Sequence, residues 1–218
     1  MIKTIVYIDG FNLYYRALKG TTHKWLNIVA LAQAVLPDEC SLAAIKYYTA
    51  RVSGRTDPTA PARQHAYLRA IGSLPLVSIH YGNFLTQKKW AGLVQPPRFK
   101  PECELPDGDA PQVAYVWKTE EKGSDVNLGV HLVRDAYTNA FEQAAVLTND
   151  TDLIEPIRIV TQELSRKVIL LTPVGQPATS LAAVSSHIRH VQPYLGPCAL
   201  PDAVKLANGT IAQKPSGW

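Results

Sequence analysis

The chain is poor in the features that mark secreted, membrane-spanning and zinc-binding proteins. Its 218 residues include three cysteines, which are isolated from one another and odd in number. That set fits a reducing compartment and argues against both a disulfide framework and a cysteine-based zinc site. No apolar stretch approaches the length of a membrane span, and none near the start is followed by a cleavage pattern. We therefore expect a cytoplasmic protein that begins at Met1 and has no membrane partner.

Known catalytic and cofactor motifs are also scarce. The six histidines lack metal-ligand spacing, which argues against a histidine-based zinc site. None of Ser41, Ser53 and Ser78 sits in a nucleophile-elbow sequence. The chain has no Walker-type or glycine-rich dinucleotide fingerprint, which weakens kinase, ATPase and dehydrogenase hypotheses. The formal net charge of +4 is only mildly basic, so it permits nucleic acid as a partner without requiring one.

Strand-like and helix-like segments alternate along the chain, which predicts an α/β fold with a mostly parallel sheet. The predicted strands cover residues 2–8, 45–49, 74–81, 113–117, 144–147, 168–171 and 188–191. The predicted helices cover residues 11–18, 26–36, 57–71, 124–137, 153–164 and 180–185. Ser124 is the predicted N-cap of the helix that begins there.

Two segments are predicted to lack regular structure. Residues 86–112 contain five prolines, so we expect an irregular loop inserted into a single domain of residues 1–192. Its basic and aromatic residues are typical of single-strand binders, although a solvated loop with a few packing anchors explains them as well. Residues 193–218 are also rich in proline and glycine. They predict a C-terminal extension packed on, or draped over, the domain.

Aspartates stand where apolar runs give way to polar residues. Asp9 ends the first predicted strand, Asp150 and Asp152 follow the strand at 144–147, and Asp125 opens the helix at 124–137. Carboxylates at the carboxyl ends of parallel strands converge on one crevice, and crowded carboxylates repel one another unless a cation neutralises them. Each aspartate alone is equally well explained as a helix cap or as a partner of a helix dipole. Together they predict a site for Mg²⁺ or Mn²⁺, which prefer oxygen ligands.

Three short blocks carry a resemblance to a known family. They are residues 8–12 (Ile-Asp-Gly-Phe-Asn), residues 121–126 (Glu-Lys-Gly-Ser-Asp-Val) and residues 148–153 (Thr-Asn-Asp-Thr-Asp-Leu). In order and spacing they resemble the signature blocks of NYN domains, a family within the larger group of PIN-type and flap-type nucleases. The resemblance covers residues 1–192. It implies a PIN-like, Rossmann-type three-layer α/β/α fold with a mostly parallel central sheet, and a metal-dependent ribonuclease activity.

The resemblance also implies roles for individual residues. Asp9, Asp125, Asp150 and Asp152 match the acidic cluster that binds Mg²⁺ or Mn²⁺, and Asn12 matches the polar residue beside the first acid. The implied chemistry is in-line attack of a water on the RNA phosphodiester, with the cation stabilising charge on the phosphate and leaving oxygens. These five residues are therefore the predicted catalytic set.

The sequence departs from the family pattern at two places. His131 stands where many relatives have another acid, and the third block reads Thr-Asn-Asp-Thr-Asp-Leu where Ser-Gly-Asp-Ser-Asp-Phe is common. The first departure removes a supporting carboxylate. Neither removes an acid of the predicted core.

Substrate phosphates need cations near the crevice. Arg16 and Lys19 follow Asp9 by seven and ten residues, and Arg51 and Arg55 follow the second predicted strand. Lys122 precedes Asp125, where it can pair with a carboxylate or contact a phosphate. These cations are the predicted RNA-binding residues, and the predicted partner is single-stranded or structured RNA.

Two further hypotheses stay open at this point. A non-catalytic module would use the same crevice to bind RNA or a protein partner. A metabolic protein is the other alternative, because some bacterial proteins resembling this group carry names that imply hydroxylation of a pyridine compound, although nothing in the chain encodes a flavin or nicotinamide site. Self-association as a homodimer is also left open by the sequence.

Overall fold

A seven-stranded sheet forms the centre of the computed structural model, which describes residues 1–55, 57–103 and 111–218. The strand order is β4-β3-β2-β1-β5-β6-β7. Every neighbouring pair is parallel except β3 and β4, which are antiparallel. The strands are β1 (Ile2–Asp9), β2 (Cys40–Ala50), β3 (Val77–Gly92), β4 (Val113–Lys122), β5 (Gln143–Leu147), β6 (Lys167–Thr172) and β7 (His187–His190).

Helices connect the parallel strands and cover both faces of the sheet. They are α1 (Gly10–Leu13), α2 (Ile28–Val35), α3 (Ala60–Gly72), α4 (Ser124–Tyr137), α5 (Ile154–Arg158) and α6 (Thr179–Val184). A π-helical turn, Tyr14–Leu18, continues α1. A 3₁₀ turn, Thr151–Leu153, leads into α5, and a second π-helical turn, Ile159–Glu163, extends it.

The alternation of side chains along β1 explains the three layers. Val6 and Ile8 belong to a core shared with α2 and α3, whereas Ile5 and Tyr7 belong to a core shared with α4, α5 and α6. Successive residues of a strand point to opposite faces, so a strand buried on both sides must be apolar at every position. The run at 5–8 (Ile-Val-Tyr-Ile) meets this condition, since all four of its residues are buried.

The order of the strands reverses next to β1. The chain moves outward from β1 through β2 to β3 on one side, and then returns to β5 on the other side and continues to β6 and β7. In open α/β sheets, ligands bind outside the carboxyl ends of the strands at such a reversal. The predicted α/β fold with a mostly parallel sheet is therefore confirmed, and the crevice between the ends of β1 and β5 is the natural place for a site.

The prediction that residues 86–112 are irregular was wrong for the first part of that segment. β3 continues to Gly92 and pairs in register with β4 from Asn83↔Lys122 to Gly92↔Val113. β2 pairs with β3 only as far as Gly82, so residues 83–92 and 113–122 form a two-stranded arm beyond the sheet. We call this element the β3–β4 arm. Residues 93–103 and 111–112 have no regular structure, and residues 104–110 of the predicted loop lie outside the described residues.

The C-terminal extension contributes to the core. Cys198, Leu200 and Ala212 are buried in the cluster that contains α2 and α3. The extension also forms a small antiparallel pair, β8 (Ala203–Lys205) with β9 (Ile211–Gln213). The indole N–H of Trp25 donates to the carbonyl oxygen of Pro201 at 2.8 Å. Residues 193–218 are therefore packed on the domain.

Within the described ranges, no helix is both long enough and apolar enough to cross a membrane.

Candidate active site

Asp9 is the last residue of β1 and is held rigidly. Its side chain is the N-cap of α1, because Oδ1 accepts a hydrogen bond from the backbone N–H of Asn12 at 2.9 Å. The other oxygen, Oδ2, accepts from the side-chain amide of Asn12 at 2.8 Å and from the hydroxyl of Thr148 at 3.1 Å. Asp9 is only 2% exposed, and this set of donors is what makes its burial tolerable.

Asp150 lies beyond the end of the neighbouring strand β5. Its Oδ1 accepts from the backbone N–H of Asp152 at 3.1 Å, which makes Asp150 the N-cap of the 3₁₀ turn Thr151–Leu153. Its own backbone N–H donates to the Thr148 hydroxyl at 3.0 Å. Since that hydroxyl donates in turn to Asp9, one short chain of hydrogen bonds links the backbone of Asp150 to the carboxylate of Asp9.

Asp125 enters from the first turn of α4, and glycines set the position of that turn. Gly123, not the predicted Ser124, is the N-cap of α4, and its φ of +99° is a conformation that favours glycine. Ser124 is instead the first helical residue, and its N–H and hydroxyl both donate to the carboxylate of Glu121 at 3.0 and 2.7 Å. Gly82 of β3 lies against this turn: a Cβ there would fall inside the Glu121 carboxylate and 2.8 Å from the nitrogen of Ser124.

Three of the four predicted acids line one pocket. Asp9, Asp125 and Asp150 surround a cavity of about 290 Å³, together with Asn12 and Glu121. The cavity lies outside the carboxyl ends of β1 and β5, at the reversal of strand order. The carboxylates come from residues far apart in the chain, so the fold, and not local sequence, brings them together.

Asp152 lies elsewhere. Its exposed side chain lines a separate open groove between α4 and α5, which it shares with Asp125 and Glu121. It is also inside the 3₁₀ turn that Asp150 caps, and so it is not the cap of a capping box with Glu155. The structure thus places Asp152 outside the pocket that Asp9, Asp125 and Asp150 line, although Asp125 borders both cavities.

The crowding of these acids shows in their proton affinities. Burial raises the pKa of Asp125 to about 7, with further contributions from the negative charges of Asp9, Asp150 and Glu121. Burial also raises the pKa of Asp9, and the hydrogen bonds from Asn12 and Thr148 oppose that rise only in part. Desolvated carboxylates next to like charges disfavour ionisation, and a bound cation reverses that preference.

The types of donor atom fit Mg²⁺ or Mn²⁺, but their positions do not form a complete coordination site. Carboxylate and amide oxygens are the ligands these ions prefer. Among residues 1–55, 57–103 and 111–218, no group of three or more His, Cys, Asp or Glu side chains stands ready to hold a metal ion. Asp9, Asp125 and Asp150 nevertheless line one pocket, where their like charges repel one another and a bound cation would relieve that repulsion.

The predicted RNA-binding cations are exposed around this edge of the sheet. Lys19 lies over the ring of Tyr15, 5.0 Å from its centroid, and Arg51 lies 5.2 Å from the centroid of Tyr81. Lys122 forms an ion pair with Glu120 at 3.2 Å, as expected if its role is to pair with a carboxylate. The two other cations are Arg16, which is exposed on the π-helical turn after α1, and Arg55, which lies over Trp117.

A second cavity, rich in aromatic side chains, adjoins the acidic pocket. Its volume is about 440 Å³, and Phe11 and Phe84 line both cavities. Its walls include the aromatic residues Tyr14, Tyr15, Tyr47, Tyr67 and Trp218 and the cations Lys19, Lys24 and Arg63. An apolar cleft of this size with a few charged groups has the usual composition of a small-molecule site.

Comparison with known proteins finds one named relative and one solved structure with a similar fold. No protein-family model matches the chain. The chain is 27% identical over 247 aligned positions to 6-hydroxy-3-succinoylpyridine 3-monooxygenase from Pseudomonas putida, an alignment that covers 100% of this chain and 75% of that relative. It is also similar to the crystal structure of a protein of unknown function from Vibrio parahaemolyticus, with a TM-score of 0.51, 16% identity, and coverage of 87% of this chain and 92% of that one. The structural likeness shows a shared α/β fold.

Sequence reasoning missed four residues that line the pocket, Phe11, Tyr15, Phe84 and Glu121. Glu121 lies in the same block as Asp125, but its place at the end of a strand was hidden because β4 was predicted to stop at Trp117. Phe84 gave no signal, since it reaches the pocket only through the pairing of β3 with β4. His131, the departure from the family pattern, bonds through Nδ1 to the hydroxyl of Tyr48 at 3.0 Å and does not line the acidic pocket.

Proposed function

We propose that the protein is a Mg²⁺- or Mn²⁺-dependent endoribonuclease. The observation that carries this proposal is that Asp9, Asp125 and Asp150 line one pocket at the carboxyl edge of a parallel sheet. Clustered negative charge gains nothing for a protein that only binds phosphates, but it suits a cation that in turn binds them. The resemblance of the three sequence blocks to NYN domains supports the same chemistry.

Each residue of the pocket has a distinct task in this proposal. Asp9, fixed by Asn12 and Thr148, provides an oriented carboxylate to the ion. Asp125 and Asp150 provide the carboxylates that rotate towards it. When bound, the cation would lower the pKa of a coordinated water and stabilise charge on the phosphate. Cations on the rim, including Lys19 and Arg51, attract the RNA backbone towards the acids.

The test is cleavage of a single-stranded RNA by wild type and by Asp150→Asn, with Mg²⁺, with Mn²⁺ and with EDTA. The substitution removes a charge and keeps the shape of the side chain. Asp38→Asn is a matched control, because Asp38 is exposed just before β2, at the opposite edge of the sheet. We expect cleavage by wild type and by the control only when metal is present, and a loss of at least about a hundredfold for Asp150→Asn.

Each result decides between the hypotheses. Unchanged cleavage by a folded Asp150→Asn protein contradicts the proposal. Tight RNA binding in EDTA with no cleavage on adding metal also contradicts it, and favours the non-catalytic module in its place.

A second candidate function has support of its own. The relative from Pseudomonas putida is named for oxygenation of a substituted pyridine, and the aromatic cavity of about 440 Å³ combines aromatic walls with two cations suited to a carboxylate, Lys19 and Lys24. The third cation of the cavity, Arg63, is paired with Asp57. We propose as the alternative that this cavity binds a small aromatic acid of that kind. The test is calorimetric titration with 6-hydroxy-3-succinoylpyridine of wild type, Lys19→Gln and the control Lys3→Gln, together with oxygen uptake when a reductant is supplied.

The outcomes of that titration are distinct. Binding by wild type that is weakened in Lys19→Gln and kept in Lys3→Gln supports the alternative, since Lys19 lines the cavity and Lys3 is exposed near the opposite edge of the sheet. No binding and no substrate-dependent oxygen uptake would exclude it.

A further inference from the structure

One face of the β3–β4 arm carries an exposed aromatic surface. Residues that pair directly across an antiparallel ladder share a face. The pairs on this face include Phe84 with Glu121, Lys88 with Trp117, and Trp90 with Tyr115. The last two pairs expose large rings: Trp90 is 66% exposed, Tyr115 59% and Trp117 55%. Soluble proteins rarely leave this much contiguous ring surface open without a partner.

Two cations lie over one of these rings, that of Trp117. The guanidinium of Arg55 lies 4.6 Å from the centroid of the Trp117 ring, and the ammonium of Lys88 lies 5.0 Å from it. Neither cation forms an ion pair with a carboxylate of the described residues. On the opposite face, by contrast, Lys118 and Lys122 both pair with Glu120. Positive charge that no described acid neutralises is therefore concentrated on the aromatic face.

The aromatic face leads directly into the acidic pocket. Phe84 and Glu121 line that pocket, and Thr86 and Thr119, bonded to each other at 2.9 Å, form the next pair along the arm. Successive pairs on one face lie about 6.8 Å apart, because each residue of a strand rises about 3.4 Å. The ring of Trp117 is thus about 14 Å along the strand from the pocket wall, and Tyr115 about 20 Å.

We infer that this face of the arm binds a single strand of nucleic acid and leads it into the acidic pocket. Unpaired bases stack on the Trp117 ring and on the Trp90–Tyr115 pair, while Arg55 and Lys88 contact the phosphates. The inference rests on the proposed ribonuclease function and names its substrate as a single strand, since the rings accept only bases that have left a duplex.

A second copy of the chain is a less suitable occupant. A symmetric interface brings the same patch of two copies together. Here it would place the Arg55 and Lys88 cations of both copies against one another, which like-charge repulsion opposes. A polyanion whose bases present flat faces satisfies both the charge and the rings of this surface.

The experiment measures equilibrium binding of a labelled, unstructured RNA oligonucleotide by fluorescence anisotropy, in EDTA so that no cleavage occurs. The variants are Trp117→Ala and Lys88→Ala in the full chain. Tyr137→Ala is the control for an exposed aromatic residue, because Tyr137 is 65% exposed at the end of α4. Lys89→Ala is the control for charge, because it removes the same charge from the adjacent residue of β3, which points to the other face of the arm.

We expect Trp117→Ala to weaken binding by about 5- to 150-fold, the range for one base–aromatic stack. Trp117→Phe should restore most of the affinity, Lys88→Ala should weaken binding more than Lys89→Ala, and Tyr137→Ala should have no effect. Binding should also quench tryptophan fluorescence in wild type, and this quenching should be reduced in Trp117→Ala.

Equal affinity of Trp117→Ala and wild type for the single strand would overturn the inference. The inference would also be overturned if Trp117→Ala weakened binding of a blunt RNA duplex as much as it weakens binding of the single strand. A change of oligomeric state in Trp117→Ala, measured by light scattering, would overturn it in favour of a chain–chain interface. Cleavage is scored separately. RNA binding that Trp117→Ala weakens, without any metal-dependent cleavage, would retain this inference and refute the proposed activity. Metal-dependent cleavage that Trp117→Ala does not affect would retain the proposed activity and refute this inference.

Discussion

Asn12 holds Asp9 with two hydrogen bonds, one from its backbone N–H at 2.9 Å and one from its side-chain amide at 2.8 Å. The amide oxygen of Asn12 accepts at the same time from the backbone N–H of Asn149 at 3.2 Å. Asn149 in turn accepts from the N–H of Ala178 at 2.9 Å. One asparagine side chain therefore connects the end of β1 to the segment after β5, on which Asp150 lies.

Replacing Asn12 with alanine should impair activity more than stability. The loss of two side-chain hydrogen bonds should cost about 1–3 kcal/mol in the free energy of unfolding. Metal-dependent RNA cleavage should fall by about 10- to 100-fold, the usual effect of losing a residue that orients a metal ligand. Urea unfolding and cleavage at saturating Mn²⁺ measure the two effects. Cleavage equal to that of wild type would show that Asp9 needs no such positioning.

The raised pKa of Asp125 predicts a pH-dependent effect of Asp125→Asn on stability. Burial and the nearby acids give the folded state a pKa of about 7, above the ordinary value of 3.8. The folded state therefore binds the proton more tightly, so the contribution of Asp125 to stability is full below pH 3.8 and is lost as the pH rises through about 7. Asparagine does not titrate, so the free energy of unfolding of the variant should rise relative to that of wild type over that range.

The difference should reach about 1–2 kcal/mol at pH 8 in EDTA, less than the full value of the shift because Asp125 is partly exposed to solvent. Urea unfolding at pH 5, 6, 7 and 8 measures it, with Asp38→Asn as the variant that should show no such trend. A variant that is less stable than wild type at pH 8 would contradict the proposed repulsion. Adding Mn²⁺ should stabilise wild type more than Asp125→Asn.

Gly82 should not tolerate alanine, because the turn that carries Asp125 packs directly against it. A Cβ at Gly82 would lie 2.7 Å from the carbonyl oxygen of Lys122 and would overlap the Glu121 carboxylate. We expect Gly82→Ala to lower the free energy of unfolding by about 1–3 kcal/mol and to reduce cleavage. Gly92→Ala is the matched control on the same strand, since nothing lies within 4 Å of the Cβ position there. Equal stability of the two variants would refute the packing argument.

The histidine pair beside the sheet predicts an acid-dependent loss of stability. The ring centroids of His80 and His131 are 4.7 Å apart. Burial, together with the nearby cations Lys46 and Arg134, lowers the pKa of both rings, although the charge of Asp135 opposes this. Their contribution is therefore present above the ordinary pKa near 6.5 and is lost as the pH falls through the lower folded value.

His131→Gln should accordingly lose less stability than wild type on acidification from pH 7 to pH 5. Asp125 acts with the opposite sign over the same range, but it is present in both proteins and cancels in the comparison. Thermal unfolding at the two pH values provides the measurement. An equal drop in both proteins would mean that His131 is not held in its neutral form.

Sequence patterns within a single segment predicted the elements whose bounds are set by that segment alone. The bounds of α4 were predicted as residues 124–137 and are confirmed, because capping residues and apolar spacing lie within the helix itself. Its N-cap was predicted wrongly, since Ser124 bonds to the Glu121 carboxylate and leaves the cap to Gly123. The position of the N-cap depends on where β4 ends, which cannot be predicted from the residues around Ser124.

Non-local pairing explains the other errors. The strand at 86–92 has no apolar alternation of its own and is stabilised by partners more than twenty residues away, in β4. Asp9, Asp125 and Asp150 were predicted to converge, and they line one pocket. The rule for carboxyl ends of parallel strands explains Asp9 and Asp150, whereas Asp125 reaches the pocket from α4, after the antiparallel strand β4. Asp152, only two residues from Asp150, faces the groove between α4 and α5 because it lies within the 3₁₀ turn that Asp150 caps. The strand-end rule does not predict the direction of a side chain within such a turn.

The central claim is that Asp9, Asp125 and Asp150 bind one divalent ion together, and Mn²⁺ titration followed by electron paramagnetic resonance tests it most directly. The proteins to compare are wild type, the three single Asp→Asn variants and the control Asp38→Asn. The account predicts that each of the three substitutions weakens Mn²⁺ binding by more than about tenfold and that the control binds as wild type does. Binding of Mn²⁺ that none of the three substitutions weakens would contradict it.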